Sequence, residues 1–313
     1  MSSTFCHRLW DEYYVSSNGN VYTCCHHKAG ILGNIKENKL EEIYNNDKIK
    51  NYRAQSLNGK LKCFKSCSLL KAEELKQNRP DSITVKSSQL NRLKISFGEG
   101  CNINCRMCWQ NSKSTKMLNF DLLKNQITLS HFNLLEIQGG EPFFIKSARQ
   151  YLEYALNTDV KITILTNGTI MNKEIATGLL KSSHRIIISL NAVDKKMHEY
   201  INRGSNWELV LKNIALLRKL RDEAKSNLKI IGHMTIIVQN INEIPQFLEK
   251  YKTFGFDEIE FGYDLRVPIF FKFYKNRKEI LKRKIINILD NCNDLENIEL
   301  NGLNKLGLTI LTK

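Results

Sequence analysis

Three cysteines within one short segment constrain this chain more than any other feature of its sequence. Cys101, Cys105 and Cys108 have the spacing Cys-x3-Cys-x2-Cys. Three thiolates hold three irons of a four-iron cluster, and the fourth iron is then free to bind a small molecule through nitrogen and oxygen atoms. The segment therefore predicts a reactive iron–sulfur site rather than a fully ligated electron-transfer cluster. A zinc knuckle is the alternative.

The segment from residue 91 to residue 270 indicates an α/β fold. Short β-branched runs alternate with longer amphipathic stretches, which is typical of consecutive βα units with parallel strands. Apolar residues recur at helical spacing through 207–220 and through 244–254, where Gly255 ends the pattern. Strands are predicted at 92–97, 134–138, 161–165, 185–190, 228–238 and 258–261.

Length and local composition suggest two domains of unequal size. A chain of 313 residues has room for one barrel-sized domain and a small one. A polar stretch interrupted by Pro80 is typical of a linker. We therefore predict a small cysteine-containing module at 1–75, a linker at 76–90, the main domain at 91–270, and a basic amphipathic helix with a tail at 271–313.

Cysteine usage and charge limit the classes of protein to consider. The nine cysteines accompany no run of eighteen apolar residues and no apolar N-terminal stretch, so we expect a soluble, cytoplasmic protein with metal-ligating thiols and no membrane partner. The net charge of +15 attracts polyanions and acidic peptides. Because the basic residues are spread along the chain, a nucleic-acid partner is possible but not favoured.

The cysteine triplet resembles the motif of the radical S-adenosylmethionine (radical SAM) superfamily, where it follows the first barrel strand. The resemblance covers most of the chain and implies a partial, TIM-like (β/α)6 barrel. It also implies that the open iron chelates S-adenosylmethionine, and that one electron splits this cofactor to give a 5'-deoxyadenosyl radical, which abstracts a substrate hydrogen atom. A reductant such as flavodoxin or ferredoxin would supply the electron.

Further motifs lie at the ends of the predicted strands, where βα barrels place their active sites. Gly139-Gly140-Glu141 follows the second strand and is similar to the family's Gly-Gly-Glu motif, which binds the amino group of S-adenosylmethionine. Met107 stands where the family most often has an aromatic residue near the adenine. The resemblance implies additional cofactor contacts from Thr166, Asn167, Ser189, Asn191 and Arg203.

A second set of cysteines lies in the predicted N-terminal module. Four of them, most simply Cys6, Cys24, Cys63 and Cys67, can enclose a metal or a second cluster. A hairpin pattern ends at Cys24, and the segments 32–35, 40–44 and 48–53 lead from it to Cys63. This order is similar to the SPASM and twitch modules, which bind an auxiliary four-iron cluster in some radical SAM enzymes. Those modules usually follow the barrel, whereas this one precedes it.

The ligands of this second site have alternatives. Four thiolates also suit tetrahedral zinc, and His26 or His27 can replace a cysteine. Cys25 is either a spare thiol or a ligand in place of Cys24. The remaining histidines lack ligand spacing and receive no role: His131, His184, His198 and His233.

The sequence thus predicts an enzyme that uses a four-iron cluster and S-adenosylmethionine. Radical SAM enzymes with SPASM or twitch modules act on ribosomal peptides, protein side chains and small sugars, and modification of a peptide or protein side chain is favoured here. A sugar or nucleotide substrate is the alternative within the same chemistry. A noncatalytic protein with zinc in its N-terminal module is the alternative outside it.

Overall fold

The computed structural model describes residues 5–24, 30–63 and 80–309, without the side chains of Ser182 and Ser183. Its strands are β1 (Glu12–Val15), β2 (Asn20–Tyr22), β3 (Gly33–Asn34), β4 (Arg92–Ser96), β5 (Asn104–Cys105), β6 (Leu134–Gln138), β7 (Lys161–Thr166), β8 (Ser183–Ser189), β9 (Asn202–Arg203), β10 (Lys229–Ile236), β11 (Glu258–Tyr263) and β12 (Ile298–Glu299). Its α-helices are α1 (Arg8–Asp11), α2 (Leu40–Ile43), α3 (Asp47–Leu57), α4 (Phe120–Gln126), α5 (Lys146–Ala155), α6 (Lys173–Ser182), α7 (Lys195–Ile201), α8 (Trp207–Glu223), α9 (Ile244–Lys250), α10 (Arg266–Phe273), α11 (Lys275–Asp290) and α12 (Asn301–Leu306).

The chain divides into two compact units. Unit 1 comprises Met1–Gly100 and Lys113–Thr163, and unit 2 comprises Cys101–Ser112 and Ile164–Lys313. Strand β7 contributes its first residues to unit 1 and its last ones to unit 2. The cysteine triplet therefore belongs to unit 2, whereas Gly139-Gly140-Glu141 and the described N-terminal cysteines belong to unit 1.

The sheet of unit 1 joins the N-terminal segment to the first predicted barrel strand. Its strand order is β6-β4-β1-β2-β3. β4 runs parallel to both neighbours, and its Ile95 lies opposite Ile137 of β6 and Val15 of β1. β1 and β2 form the predicted hairpin, with Val15 opposite Val21. We did not predict β1 itself, because a four-residue strand has too few alternations to stand out from its neighbours.

Alternation along these strands gives the sheet of unit 1 an apolar face and a polar face. Leu93 and Ile95 of β4 and Ile137 of β6 are completely buried in the apolar core. On the other face, Lys94 lies opposite Glu136 in the register of β4 and β6, and its ammonium group is 2.6 Å from the carboxylate.

A completely buried arginine connects several segments of unit 1. Arg53 lies in α3, and burial lowers its pKa from the ordinary value for a guanidinium. Since a buried charge is stable only when its donors are used, the surrounding backbone supplies acceptors. The guanidinium donates to the carbonyl oxygens of Leu9, Tyr44 and Ile83 and to the side-chain oxygens of Tyr13 and Asn45, at 2.7 to 3.2 Å.

Unit 2 contains parallel strands in the order β12-β11-β10-β8. In the middle of this sheet, His233 of β10 lies opposite Ser189 of β8 and Glu260 of β11. The strand β12, which we did not predict, extends the sheet beside β11. Helices α8 and α9 arise from the two predicted amphipathic segments, and α8 buries Trp207, Val210, Ile214 and Leu217.

All six predicted strands are present as β4, β6, β7, β8, β10 and β11, with ends that differ by at most two residues. The basic amphipathic helix predicted after Phe270 is α11, which buries Leu281 and Ile285. Across the described ranges, no helix is long and apolar enough to cross a membrane.

Candidate cofactor and cluster site

A two-stranded ribbon holds the cysteine loop in unit 2. β5 and β9 are antiparallel, with Cys105 opposite Asn202 and Asn104 opposite Arg203. The Nε atom of Arg203 donates to the carbonyl oxygen of Asn104 at 2.9 Å. The loop also closes on itself, because the backbone N–H of Cys108 donates to the carbonyl oxygen of Cys105 at 3.1 Å. These bonds fix the backbone that carries the thiols.

Arg106 makes a second attachment between this loop and α7. Its backbone N–H donates to the carbonyl oxygen of Ile201 at 2.9 Å, and its Nε donates to that of Tyr200 at 2.7 Å. The guanidinium lies 3.9 Å from the centre of the Tyr200 ring, in cation–π contact. The sequence analysis did not single out Arg106 or Tyr200, because the two residues are 94 positions apart and meet only in the folded chain.

The three thiols form one interacting set. Cys101 and Cys105 are half-buried and Cys108 is exposed. Burial, together with the neighbouring Cys101 and Cys108, raises the pKa of the Cys105 thiol to about 12. A cation that binds the three sulfurs would replace these protons, so the set is suited to a positively charged metal centre.

Three thiol donors from one loop are suited to three irons of a cluster. Throughout the described part of the chain, no three His, Cys, Asp or Glu side chains converge closely enough to hold one metal ion. In an iron–sulfur cluster each thiolate binds a different iron, so the sulfurs lie farther apart than they do around a lone ion.

The predicted residue Asn167 lies beside the triplet. Its Nδ2 atom is 3.6 Å from the sulfur of Cys101 and donates to Oδ1 of Asn102 at 3.0 Å. The Thr169 hydroxyl donates to Oδ1 of Asn167 at 2.6 Å and accepts from Nδ2 of Asn102 at 2.8 Å. The neighbouring Thr166 is buried and accepts from the backbone of Gly168 at 3.1 Å. Asn167 is therefore held with its amide donor directed at the first cysteine.

Asn191 and Ser189 lie at the end of β8, as predicted. Asn191 is buried, and its Nδ2 donates to Asn202 Oδ1 at 2.9 Å while its Oδ1 accepts from the backbone of Thr235 at 2.8 Å. These bonds give Asn191 a structural role between β8, β9 and β10. Ser189 is half-buried opposite His233. The cofactor contacts of both residues remain predictions, as does that of the half-buried Met107.

His198 supports the cysteine ribbon from inside unit 2, although its sequence context gave no signal. It is completely buried, its Nε2 is 2.9 Å from the Ser205 hydroxyl, and its Nδ1 is 3.1 Å from Nδ2 of Asn202. Asn202 in turn lies opposite Cys105. Burial lowers the pKa of His198 to about 4, so the ring is neutral at physiological pH.

We expect His198 to make this protein sensitive to acid. The unfolded chain binds a proton near pH 6.5, whereas the folded chain binds it near pH 4. The free energy of unfolding should therefore be highest above pH 6.5 and fall by about 3 kcal/mol as the pH drops toward 4. Urea unfolding of His198→Gln should show a smaller fall, and His184→Gln, at an exposed position, should match the wild type. Equal acid sensitivity in the two variants would exclude this role.

The Gly-Gly-Glu motif forms a close turn at the end of β6 in unit 1. Gly139 and Gly140 have φ angles of +93° and +52°. A Cβ atom at Gly140 would lie 2.1 Å from the carbonyl oxygen of Gly100, the residue before the first motif cysteine. The N–H of Glu141 donates to the same oxygen at 3.0 Å. Glu141 is completely buried, and its Oε1 accepts from the backbone of Phe143 at 3.1 Å.

Gly140→Ala should strongly destabilise this turn. The substitution combines a left-handed φ with a clash against backbone, and we expect a loss of about 3 kcal/mol or more in the free energy of unfolding. Gly30 is a matched control, since its φ is +70° but its added Cβ would have 3.7 Å to the nearest atom. Gly30→Ala should cost only about 1 kcal/mol. Urea titration of both variants checks this, and equal losses would show that the close approach is unimportant.

Three of the predicted N-terminal ligands lie in the described part of unit 1. Cys6, Cys24 and Cys63 are half-buried. The backbone N–H of Cys6 donates to the hydroxyl of Ser56 at 2.9 Å, which fixes the first of them against α3. Cys67, Cys25, His26 and His27 lie outside the described residues, and the whole set of ligands stays a prediction.

Two family models match the chain. The model of the radical SAM superfamily matches residues 95–251, and that of the SPASM iron–sulfur cluster-binding domain matches residues 6–68. The second match favours an iron–sulfur cluster over zinc in the N-terminal module.

Two proteins whose names state a function are similar to this chain in sequence. The antilisterial bacteriocin subtilosin biosynthesis protein AlbA of Bacillus subtilis is 26% identical over 192 residues, which are 57% of this chain and 42% of AlbA. A probable GTP 3',8-cyclase of Methanococcus maripaludis is 24% identical over 174 residues, which are 53% of this chain and 57% of the cyclase. The chain thus spans less than two thirds of either relative.

A solved structure confirms the fold class. Streptococcus suis SuiB bound to its precursor peptide SuiA aligns with 91% of this chain and 70% of its own, with a TM-score of 0.50 and 15% identity. This likeness and the superfamily match confirm the predicted α/β fold of the partial (β/α)6 barrel type with an N-terminal SPASM module. Since the superfamily model covers half of the sequence, this chain belongs to the radical SAM superfamily, whose cofactors are a four-iron cluster and S-adenosylmethionine.

Proposed function

We propose that this protein is a radical SAM enzyme that modifies a side chain of a peptide or protein. The observation that carries this proposal is the combination of a radical SAM domain with a SPASM iron–sulfur domain in one chain. The likeness to AlbA, a protein of bacteriocin biosynthesis, supports a peptide substrate.

We assign the cluster of the radical SAM domain to Cys101, Cys105 and Cys108. When bound, that cluster supplies the electron that cleaves S-adenosylmethionine to a deoxyadenosyl radical. The ribbon of β5 and β9 orients the thiols. Asn167 directs an amide donor at the sulfur of Cys101, and a hydrogen bond to a cluster sulfur makes reduction easier.

The close turn at residues 139–141 is suited to the amino group of the cofactor. Its glycines let this turn pack closely against the backbone of residues 98–100, and the carboxylate of Glu141 attracts an ammonium group. In unit 2, Arg203 uses its Nε to hold Asn104. We assign its terminal amino groups to the carboxylate of the cofactor.

We assign the auxiliary cluster to Cys6, Cys24, Cys63 and Cys67. The SPASM match spans all four positions, and the first three are half-buried in unit 1. Four thiolate ligands suit a cluster without an open iron, which transfers electrons or contacts substrate instead of binding S-adenosylmethionine.

The polar face of each sheet is suited to contact with a polar substrate. In unit 1 this face carries the ion pair of Lys94 with Glu136, and in unit 2 it carries that of Arg185 with Glu258. These side chains are 17% to 37% exposed. A peptide backbone needs hydrogen-bonding partners along its length, and a partly exposed charged face supplies them.

The proposal is tested by offering peptides to the loaded enzyme. Anaerobic protein with its iron–sulfur clusters, S-adenosylmethionine and dithionite is incubated with a synthetic peptide library, and peptide masses are compared with those from Cys101→Ala. We expect a mass change in at least one peptide that grows with 5'-deoxyadenosine formation. In parallel incubations GTP or sugars replace the peptides. If 5'-deoxyadenosine forms but only GTP or a sugar is altered, the substrate is a small molecule and the peptide proposal is wrong.

A further inference from the structure

Three polar side chains form a row across the sheet of unit 2. Ser189 of β8, His233 of β10 and Glu260 of β11 are direct partners in the parallel register. They lie on the half-buried face of the sheet, because the residues that alternate with them, Ile188, Met234 and Phe261, are buried. Sequence analysis gave His233 no role, and the proposed cofactor site does not use it.

His233 and Glu260 form an oriented pair. The Nδ1 atom of His233 is 2.8 Å from Oε1 of Glu260, and the side chains are 20% and 26% exposed. Because an ionised carboxylate only accepts hydrogen bonds, we place the proton of the His233 ring on Nδ1. The nearby cations Arg185 and Lys229 lie against a different carboxylate, that of Glu258, at 3.1 and 3.6 Å. Glu260 therefore faces the imidazole of His233.

The opposite edge of the ring carries a basic nitrogen. With the proton on Nδ1, the Nε2 atom has a lone pair, and the Thr235 hydroxyl lies 3.2 Å from it. Gly262 flanks this edge, and a Cβ atom there would lie 3.1 Å from both Cε1 and Nε2. The glycine thus keeps a larger side chain away from the basic nitrogen.

We propose that His233 is the proton acceptor for the peptide substrate and that Glu260 is its positioning residue. This inference rests on the proposed function. In the step, the X–H bond of a substrate side chain breaks, its electron pair stays on X, and a new N–H bond forms at Nε2. The carboxylate of Glu260 stabilises the resulting imidazolium. Among neutral side-chain groups, the thiol has an acidity closest to that of imidazolium, so a cysteine thiol is the favoured X–H group.

Site-resolved labelling with diethyl pyrocarbonate tests this proposal on the cluster-loaded full chain without a known substrate. The reagent acylates an accessible, unprotonated imidazole nitrogen. We expect label on His233, and Glu260→Gln should slow it by about tenfold while Glu260→Asp restores part of the rate. Glu258→Gln is the matched control, because Glu258 lies on the same strand and face but pairs with Arg185 and Lys229. An unlabelled His233, or equal rates in Glu260→Gln and Glu258→Gln, would overturn the proposal.

A turnover measurement separates this inference from the proposed function. If the loaded wild type forms no 5'-deoxyadenosine, the proposed function fails, whereas the labelling rates still decide whether His233 has a basic nitrogen oriented by Glu260. With a peptide that the wild type modifies, His233→Gln should give about a hundredfold less product per 5'-deoxyadenosine. An unchanged ratio would show that His233 does not act on the substrate.

Discussion

Cys105→Ala is expected to abolish 5'-deoxyadenosine formation and to remove about four irons per chain. Cys105 lies in the middle of the triplet, and the ribbon of β5 and β9 holds its backbone opposite Asn202. Alanine supplies no thiolate, and two remaining cysteines leave a second iron without a protein ligand. Iron analysis after anaerobic reconstitution, followed by chromatography of the nucleoside product, measures both effects.

Two further cysteine variants control this result. Cys292→Ala changes an isolated, half-buried cysteine of the same unit and should keep both the iron content and the product. Cys63→Ala should remove only the iron of the N-terminal module. Product formation by Cys105→Ala at the wild-type rate would refute the cluster assignment, and loss of both clusters in Cys63→Ala would argue against two separate sites.

Arg53→Met should cause the largest loss of stability in unit 1. The substitution removes a guanidinium that is completely buried, and it leaves the carbonyl oxygens of Leu9, Tyr44 and Ile83 without this donor. Breaking such a buried charged network costs about 3–5 kcal/mol. Methionine fills a similar volume, so lost hydrogen bonds and not a cavity would be responsible. Urea unfolding followed by tryptophan fluorescence measures the change.

Lys60→Met is the control for this variant, because it replaces a cation at an exposed position of the same unit. We expect it to change the free energy of unfolding by no more than about 0.5 kcal/mol. Should Arg53→Met be as stable as Lys60→Met, the network around Arg53 would not support the N-terminal segment.

The sequence predicted the parts of the fold that depend on local pattern. β4, β6, β7, β8, β10 and β11 appear as β-branched runs between amphipathic segments, and this signal needs no tertiary information. The strands that we missed, β1, β3, β5, β9 and β12, have two to four residues. Such strands exist because a distant partner pairs with them, so no periodicity reveals them.

The candidate site divides in the same way. The cysteine triplet and Gly139-Gly140-Glu141 each lie within one short segment, so their residue types and spacing were enough to predict a cluster and a cofactor contact. The contact of Arg106 with Tyr200 spans 94 residues, and the pair of His233 with Glu260 spans 27. Neither could be predicted from spacing. Asn191 was correctly placed at the end of a strand, but the sequence did not show that its amide bonds Asn202 and Thr235.

The most direct test is to reconstitute the full chain anaerobically with iron and sulfide, count its iron, and then add S-adenosylmethionine and dithionite. A radical SAM enzyme with a SPASM module should bind about eight irons per chain and form 5'-deoxyadenosine. Protein that holds its full complement of iron–sulfur clusters, yet leaves S-adenosylmethionine intact under these conditions, would contradict the proposed radical chemistry.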